Sequence, residues 1–398
     1  MTAGPLAGIR VLDLTSVVVG PTATLTLAQQ GADVIKLEPP EGDLLRALGG
    51  KGRSPGMSPK FLHFNRGKRS LCLDLRTAGG RGAVLRITAA SDVLVSNIRP
   101  QALARLGLDH ASLAASCPRL VHCGIVGFGA GGPYHGKPAY DTIIQGASGM
   151  AGAMARPFGE PRFMPFVIAD HITGFIAAQA ITAALLARER TGRGQAIEVP
   201  MLENMASFVL TEHMGQRTFE DDGAMGDPRI MDPLGRPIAT ADGWICVSAN
   251  TDAQARGFFA AIGRPELAED PRFATVAARL ANVRDYFGLR AGALREKPTA
   301  HWLAAFAEHD VPALQVNMIE DVMDDAHIRA VGLVERVEHP TEGMVRALRA
   351  ATRFSGGMPP LAEIGRLGVD GPAILAECGF SAEEIAGLRE SGALKVAA

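Results

Sequence analysis

The feature that most restricts the fold is an alternation of short, nearly continuous apolar runs with helix-like stretches along the N-terminal part of the chain. IRVLDL (9–14), ADVIKLE (32–38), RSLCLDL (69–75), DVLVSNI (92–98) and LVHCGIVGF (120–128) read as strands. Helix-like segments lie between them: about Thr22 to Gln30, after Pro21 and before Gly31; GAVLRITAA (82–90); and a short one at ALARLG (102–107). Strands that are apolar on both faces need cover on both faces, as in a parallel sheet with helical crossovers. The expectation is a doubly wound, largely parallel α/β fold of the Rossmann-like kind. In such sheets ligands bind beyond the carboxyl ends of the strands.

Further along, a long apolar helix is expected over about 172–191, closed by TGRG, followed by a strand QAIEVPM (195–201) and a helix LENMASFVLTEHM (202–214). Residues 216–235 are polar and rich in Gly, Asp and Pro, and read as a linker. A hairpin RPIATADGWICVSA (236–249) turning at Asp242–Gly243 comes next. Helices fill roughly 251–311, and a strand is expected from Val311–Pro312 to Asn317. The last segment holds strands near GLVERVEHP and MVRALRA and helices at PAILAECG and SAEEIAGLRE. The expected domains are 1–215, a large α/β domain; 216–325, a small α+β domain with its linker; and 326–398, a segment returning to the large domain.

The chain has 398 residues, 47% hydrophobic and 5% aromatic, so its core is mostly aliphatic. With a net charge of −2 it lacks the basic excess of a nucleic-acid binder, and any polyanionic ligand must be met by a local cluster of Lys and Arg. The five cysteines, Cys72, Cys117, Cys123, Cys246 and Cys378, are odd in number, scattered and without a CxxC pair. That argues against a disulfide framework or structural zinc and fits a reduced, cytoplasmic setting. The start, MTAGPLAGIRVLDL, lacks the features of a signal peptide. The most apolar stretch, Ile172 to Leu186, is too short to span a bilayer and reads as a buried core helix, so no membrane partner is expected.

Gly127–Gly132, GFGAGG, matches GxGxxG after a strand, but PYHGKP follows where a dinucleotide site requires a helix to begin, so a loop is the better reading. There is no P-loop, HExxH or GxSxG, and the ten histidines show no metal-ligand spacing, so no metal is expected. Two motifs carry more. GKPAYDTIIQGASG (136–149) joins a Gly/Pro entry, a cation at Lys137 and the pair Tyr140–Asp141. PFVIADHITG (165–174) ends an apolar run at Asp170, where an apolar helix begins. An aspartate there reads as a helix N-cap. The same position would hold a carboxylate fixed and short of water, and the two readings are compatible.

At these motifs the chain resembles the class III CoA-transferase family, which includes carnitine and formyl-CoA transferases and the 2-methylacyl-CoA racemases. GIRVLDLTSVVVGPTATLTLAQQGADVIKLEPPEGD resembles the family's opening. NRGKRSLCLDLR (65–76), DVLVSNIRPQALARLG (92–107), TGRGQAIEVPMLE (191–203), TADGWICVSA (240–249) and DPRFATVAARLANV (270–283) extend the similarity in order along almost the whole chain. The resemblance implies an enzyme that moves coenzyme A between carboxylic acids, with Asp170 as covalent nucleophile passing through a mixed anhydride and an aspartyl-CoA thioester. It implies that Tyr140 and Asp141 orient the nucleophile or the substrate. It implies CoA contacts from Val18, Val19, Leu73, Arg76, Asn97, Ile98, Arg99, Arg105 and Lys137, with the Arg and Lys residues meeting the phosphates. No tightly bound cofactor is implied; CoA and acyl-CoA are substrates. The partners implied are acyl-CoA, a carboxylic acid, and a second copy of the chain in an interlocked homodimer, with the large domain built from both chain ends.

Some family features are missing. Val18 stands where some transferases have Gln, Pro39 where relatives often have Arg, and no run of glycines marks a mobile lid. These departures point away from a strict formyl-CoA/oxalate enzyme. A racemase would carry His at the position of Tyr140, and a phenol with pKa near 10 is a poor base at neutral pH. With His135 and His171 nearby, α-proton exchange stays an alternative, as does a non-catalytic CoA-binding role. The acids are not identified by the sequence; dicarboxylates such as succinate, malate or mesaconate are among the choices, with Arg229 and Arg236 as possible clamps.

Overall fold

The computed structural model describes residues 4–220 and 222–397, which divide into two compact units. The first holds the described residues up to Ser148, Met164–Ala206 and those from Val331 onward; the second holds Gly149–Phe163 and, within Ser207–Ala330, the described residues.

In the first unit, β1 (Arg10–Asp13), β2 (Asp33–Glu38), β3 (Lys68–Leu73), β4 (Val93–Ser96), β5 (Val121–Val126) and β6 (Ala196–Pro200) form one parallel sheet in the order 3-2-1-4-5-6. The crossovers carry α1 (Val19–Gln29), α2 (Pro59–Asn65), α3 (Ala78–Ala89), α4 (Pro100–Arg105), α5 (His110–Leu113) and α6 (Asp141–Ala147). α7 (Met150–Ala153) and α8 (Ala155–Phe158) belong to the second unit, and α9 (Ile168–Thr191) returns to the first. The second unit contains a small antiparallel sheet of β7 (Ile238–Ala239), β8 (Trp244–Val247) and β9 (Ala313–Gln315), with a core around Phe258, Phe259, Trp302 and Phe306. Asp242–Gly243 lies between β7 and β8, as the hairpin reading expects. Back in the first unit, β10 (Val334–His339) and β11 (Gly343–Leu348) pair as a hairpin. β12 (Leu394–Lys395) then adds an antiparallel edge beside β3. Both ends of the chain therefore meet in one seven-stranded sheet, in the doubly wound α/β arrangement.

The two faces of this sheet differ. Leu12, Leu37, Leu71 and Leu94 pack with Ala83, Val84 and Ile87 of α3 and with Ile374 and Leu375. The opposite face, toward α1, carries a row of buried polar groups: Asp13, Lys36 and Ser70 are register partners on three adjacent strands. Lys68 Nζ meets Asp13 at 3.1 Å, Lys36 Nζ meets Asp43 at 2.7 Å, and Arg46 pairs with Glu38 at 2.7 Å. Pairing makes such burial tolerable, since a lone buried charge is strongly destabilising. Burial pushes the Asp13 carboxyl up, but Lys68, Lys36 and the hydroxyls of Thr15 and Thr24 outweigh it and hold it at about 2.

Several boundaries depart from the sequence reading. α1 begins at Val19, so Pro21 lies within its first turn, where the missing N–H costs nothing. α9 begins at Ile168, and Asp170 is its third residue rather than its cap; the cap position is Val167. At 24 residues α9 is long and apolar enough to cross a membrane by length and composition, but half of that stretch is buried inside the fold. It packs on α1 at very short range: a β-carbon on Gly174 would lie 2.6 Å from the Val19 carbonyl oxygen and 2.7 Å from Thr22 Cβ.

Candidate active site

The order of the sheet reverses between β1 and β4, so the chain leaving each strand turns to opposite sides and a crevice opens at their carboxyl ends. Asn97, just after β4, spans that crevice. Its amide nitrogen donates to the Ser16 carbonyl at 3.0 Å, and its oxygen accepts from the Ser16 N–H at 3.1 Å. The next residue, Val17, has φ 68, in the left-handed region that a β-branched side chain rarely occupies. Its N–H donates to the carboxylate of Asp43 at 3.2 Å, and Asp43 is held by Lys36. The buried ion network thus fixes the strained turn that leads into α1, and Val18 and Val19 at its start face the cavity.

That cavity, of about 250 Å³, is bordered by Val18, Val19, Asn97, Ile98, Arg99, Lys137, Tyr140 and Asp170, eight of the residues named from the sequence. Leu73 and Arg76 border a neighbouring cavity of about 690 Å³ beyond β2 and β3; Ser16 and Ile98 belong to both cavities. Arg76 is exposed and paired with Asp74 at 2.8 Å and Glu41 at 3.2 Å. Arg105 is exposed in the last turn of α4 and borders neither cavity, though its neighbour Leu106 borders the second. Lys137 rests its ammonium 4.5 Å from the centre of the Tyr134 ring. It sits on the GFGAGG loop, which runs on to α6 without starting a helix and is tied down by Glu203 to the Gly129 N–H (2.8 Å) and by Glu198 to the Ala130 N–H (3.0 Å).

Asp170 is 8% exposed. The cap expected of it is supplied by Asp141, buried at the start of α6. One Asp141 oxygen accepts from the Ala169 N–H at 2.8 Å and the Asp170 N–H at 3.3 Å, while the other accepts from Gln145 at 2.6 Å. Among the described residues no hydrogen-bond donor reaches the carboxylate of Asp170 itself. Burial, and next the charge of Asp141, push its carboxyl from 3.8 up to about 7; Lys60 acts in the opposite direction. The result is a basic carboxylate with free lone pairs, shielded from water and open to a cavity, which is what a carboxylate nucleophile requires.

Tyr140, 67% exposed, precedes α6 and lines the same cavity. His135 also lines it, whereas His171 is half-buried between the rings of Phe64 and Phe175, and burial lowers its pKa. Arg229 and Arg236 border a cavity of the second unit with Tyr286 and Arg290. Among the described residues no group of three His, Cys, Asp or Glu is arranged for a metal. Four site features were not read from the sequence: the Ser16–Asn97 clasp, the strained Val17, the capping role of Asp141 and the position of Lys60. None has a local motif, because each depends on residues far apart in the chain.

The sequence model of CoA-transferase family III matches residues 6–363. The chain is 35% identical to the succinate–glutarate CoA-transferase of Agrobacterium fabrum, over 83% of this chain and 84% of that one. It is 36% identical to the acetyl-CoA:oxalate CoA-transferase of Acetobacter aceti, over 82% and 83%. Among solved structures, a CaiB/BaiF family protein from Brucella suis superposes with a TM-score of 0.80 at 34% identity, covering 94% of this chain and 100% of that one. Rv3272 from Mycobacterium tuberculosis superposes with a TM-score of 0.81 at 28% identity, with the same coverage. With its doubly wound sheet, its cavity at the switch point and this similarity over most of its length, the chain belongs to CoA-transferase family III and is a CoA-transferase of that family.

Proposed function

We propose that the protein transfers CoA from an acyl-CoA to a carboxylic acid through covalent intermediates on Asp170. The Asp170 carboxylate attacks the thioester carbonyl, forming a mixed anhydride and releasing CoA thiolate. The thiolate attacks the aspartyl carbonyl, giving an aspartyl-CoA thioester and freeing the donor acid. The acceptor carboxylate then attacks that thioester, and the returning thiolate takes the acceptor's acyl group and regenerates Asp170. Each step exchanges one activated acyl bond for another, so little driving force is lost. The observation that carries this reading is the buried carboxylate of Asp170, free of hydrogen-bond donors among the described residues and with a pKa of about 7, facing a cavity bordered by eight of the expected site residues.

In this reading CoA lies along the carboxyl edge of the sheet, its thiol end at Asp170 and its phosphates toward Arg99, Lys137, Arg76 and Arg105. The N–H groups of Val18 and Val19, at the start of α1, stabilise the oxyanion of each tetrahedral intermediate. Tyr140 orients substrate, and Asp141 orients the nucleophile through the backbone. Similarity to a succinate–glutarate enzyme supports a dicarboxylate acceptor. Exposed apolar side chains on α6 and α9, Ile143, Phe175 and Leu186, support a homodimer. The scattered cysteines support a cytoplasmic site.

The test is to incubate the protein with an acyl-CoA, quench with hydroxylamine, and map the peptide containing Asp170 by mass spectrometry. A hydroxamate at Asp170 is expected; an unmodified peptide under turnover would sink the proposal. His135 in the cavity gives α-proton exchange a second reading, which predicts deuterium uptake at Cα of a 2-methylacyl-CoA with no acceptor acid present.

A further inference from the structure

We propose that Lys60 selects the acceptor: it receives the distal carboxylate of a dicarboxylic acid whose other carboxyl group exchanges at Asp170. This rests on the CoA-transfer reading above and specifies its substrate class.

α2 is placed by its own sequence. Ser58 caps it, accepting from the Phe61 N–H at 3.1 Å, and Pro59 opens its first turn. Phe61 is buried with Val18 and Leu45, and Val17, Leu62, Phe64 and Val167 pack around them. Val18 immediately precedes α1 and Val167 immediately precedes α9, so α2 rests on the two chain segments that frame the nucleophile. Phe64 meets the ring of His171, the neighbour of Asp170, with centroids 5.5 Å apart. Residues four apart share one face of a helix, so Lys60 lies one turn from Phe64 on the side facing α9. Its stem is held there by Gly49: a β-carbon on that glycine would lie 2.4 Å from Lys60 Cβ.

The charge of Lys60 has an unusual setting. Lys36, Lys68, Arg46 and Arg66 each pair with a carboxylate, whereas half-buried Lys60 has no ion-pair or hydrogen-bond partner among the described residues. Its charge opposes the rise in the Asp170 pKa and acts at His171 too. The side chains packed around α2 on this side, Val18, Val167 and Phe64, are apolar. A half-buried, unpaired cation whose charge reaches the reacting carboxylate, on a helix packed among apolar side chains, matches an acid with a methylene chain and a second carboxylate. A monocarboxylate would leave Lys60 without a counterion, which disfavours its binding.

The test compares full-length wild type, Lys60→Met and Lys60→Arg with glutarate and with pentanoate, its chain-length match lacking the second carboxylate. The donor is an acyl-CoA that wild type accepts. The ratio of kcat/KM for glutarate to that for pentanoate is expected to fall about ten- to hundredfold in Lys60→Met, mainly through the glutarate KM, and to recover largely in Lys60→Arg. The acid limb of the pentanoate pH profile should also move to higher pH in Lys60→Met. The other charged or titratable groups at this site, Asp141, His171, Arg99, His135, Lys137 and Tyr140, are untouched, and Lys60 normally favours the ionised form of Asp170. An unchanged acid ratio, or a rise in donor KM that is the same with both acids, overturns the assignment, the latter placing Lys60 on CoA instead. Failure of the CoA-transfer reading looks different: neither acid accepts CoA with any of the three proteins and no adduct forms on Asp170. The Lys60 assignment then falls with it.

Discussion

Replacing Asp170 with Asn separates what the carboxylate does for chemistry from what it does to the fold. Its folded pKa of about 7 lies above the ordinary value of 3.8. Between these values the folded state keeps a proton that the unfolded state gives up, so stability falls as pH rises from about 4 to about 7 and is level above. At about 1.4 kcal/mol per tenfold change in acidity, the full penalty above pH 7 is ~4 kcal/mol, of which ~3 kcal/mol develops between pH 5 and pH 8. Asn keeps the size and loses the titration. Urea unfolding of both proteins at pH 5 and pH 8 should therefore show Asp170→Asn gaining on wild type by ~3 kcal/mol over that interval. In the same preparations CoA transfer should drop by at least about a thousandfold, because the nucleophile is gone. A stability difference that is the same at both pH values would refute the reasoning, since an Asp170 carboxyl of ordinary acidity is fully ionised at both.

The remaining expectations concern the groups around it. The pH profile of wild-type kcat/KM should rise through an acid limb near about 7, since the ionised carboxylate attacks, and Asp141→Asn should move that limb to lower pH by removing the neighbouring charge. The same change weakens the cap on α9 and should lower stability by ~1 kcal/mol in urea titration. Gly174→Ala should cost ~1–3 kcal/mol and reduce kcat more than the donor KM, because the added methyl drives α9, and Asp170 one turn before it, off α1. Lys68→Met leaves Asp13 buried without its nearest cation and should cost ~3–5 kcal/mol, read as a fall in the urea midpoint.

Local information carried much of the fold. The five apolar runs became β1 to β5, the C-terminal hairpin and helices formed where turn and cap residues placed them, and the carboxyl ends of the strands hold the cavity. The errors have one cause, which is bonding between residues distant in sequence. Asp170 has the residue type and setting of a cap, but the cap bonds come from Asp141, 29 residues away. β12 is two residues long and gives no periodic signal; it exists because the edge of β3 offers unpaired backbone. Lys36, Glu38 and Lys68 look like ordinary polar interruptions of strands, yet all are buried, because their partners arrive from other strands and from Asp43 and Arg46. Leu73 and Arg76, named from the sequence as CoA contacts, border a second cavity that shares Ser16 and Ile98 with the one at Asp170, because β2 and β1 stand between β3 and the switch point.

Asp13 and Asp170 show why burial alone does not mark a functional carboxylate. Both are nearly inaccessible, and desolvation opposes ionisation of both. Asp13 receives two lysines and two threonine hydroxyls, sits at about 2, and is spent on holding three strands together. Asp170 receives a like charge from Asp141, no hydrogen-bond donor among the described residues, and one opposing cation in Lys60, and sits near 7. Saturating a carboxylate with donors lowers its basicity and occupies the lone pairs that would attack a carbonyl, so Asp13 is unsuited to nucleophilic work however well placed. Withholding donors keeps the lone pairs free but raises the folding cost, so the exposed backbone of the helix start must be stabilised by something else. Asp141 does this through the N–H groups of residues 169 and 170 while its charge raises the pKa of the carboxyl beside it. Capping and activation are therefore two effects of one buried charge. A neutral hydrogen-bond acceptor at position 141 should preserve the helix better than it preserves the basicity of Asp170.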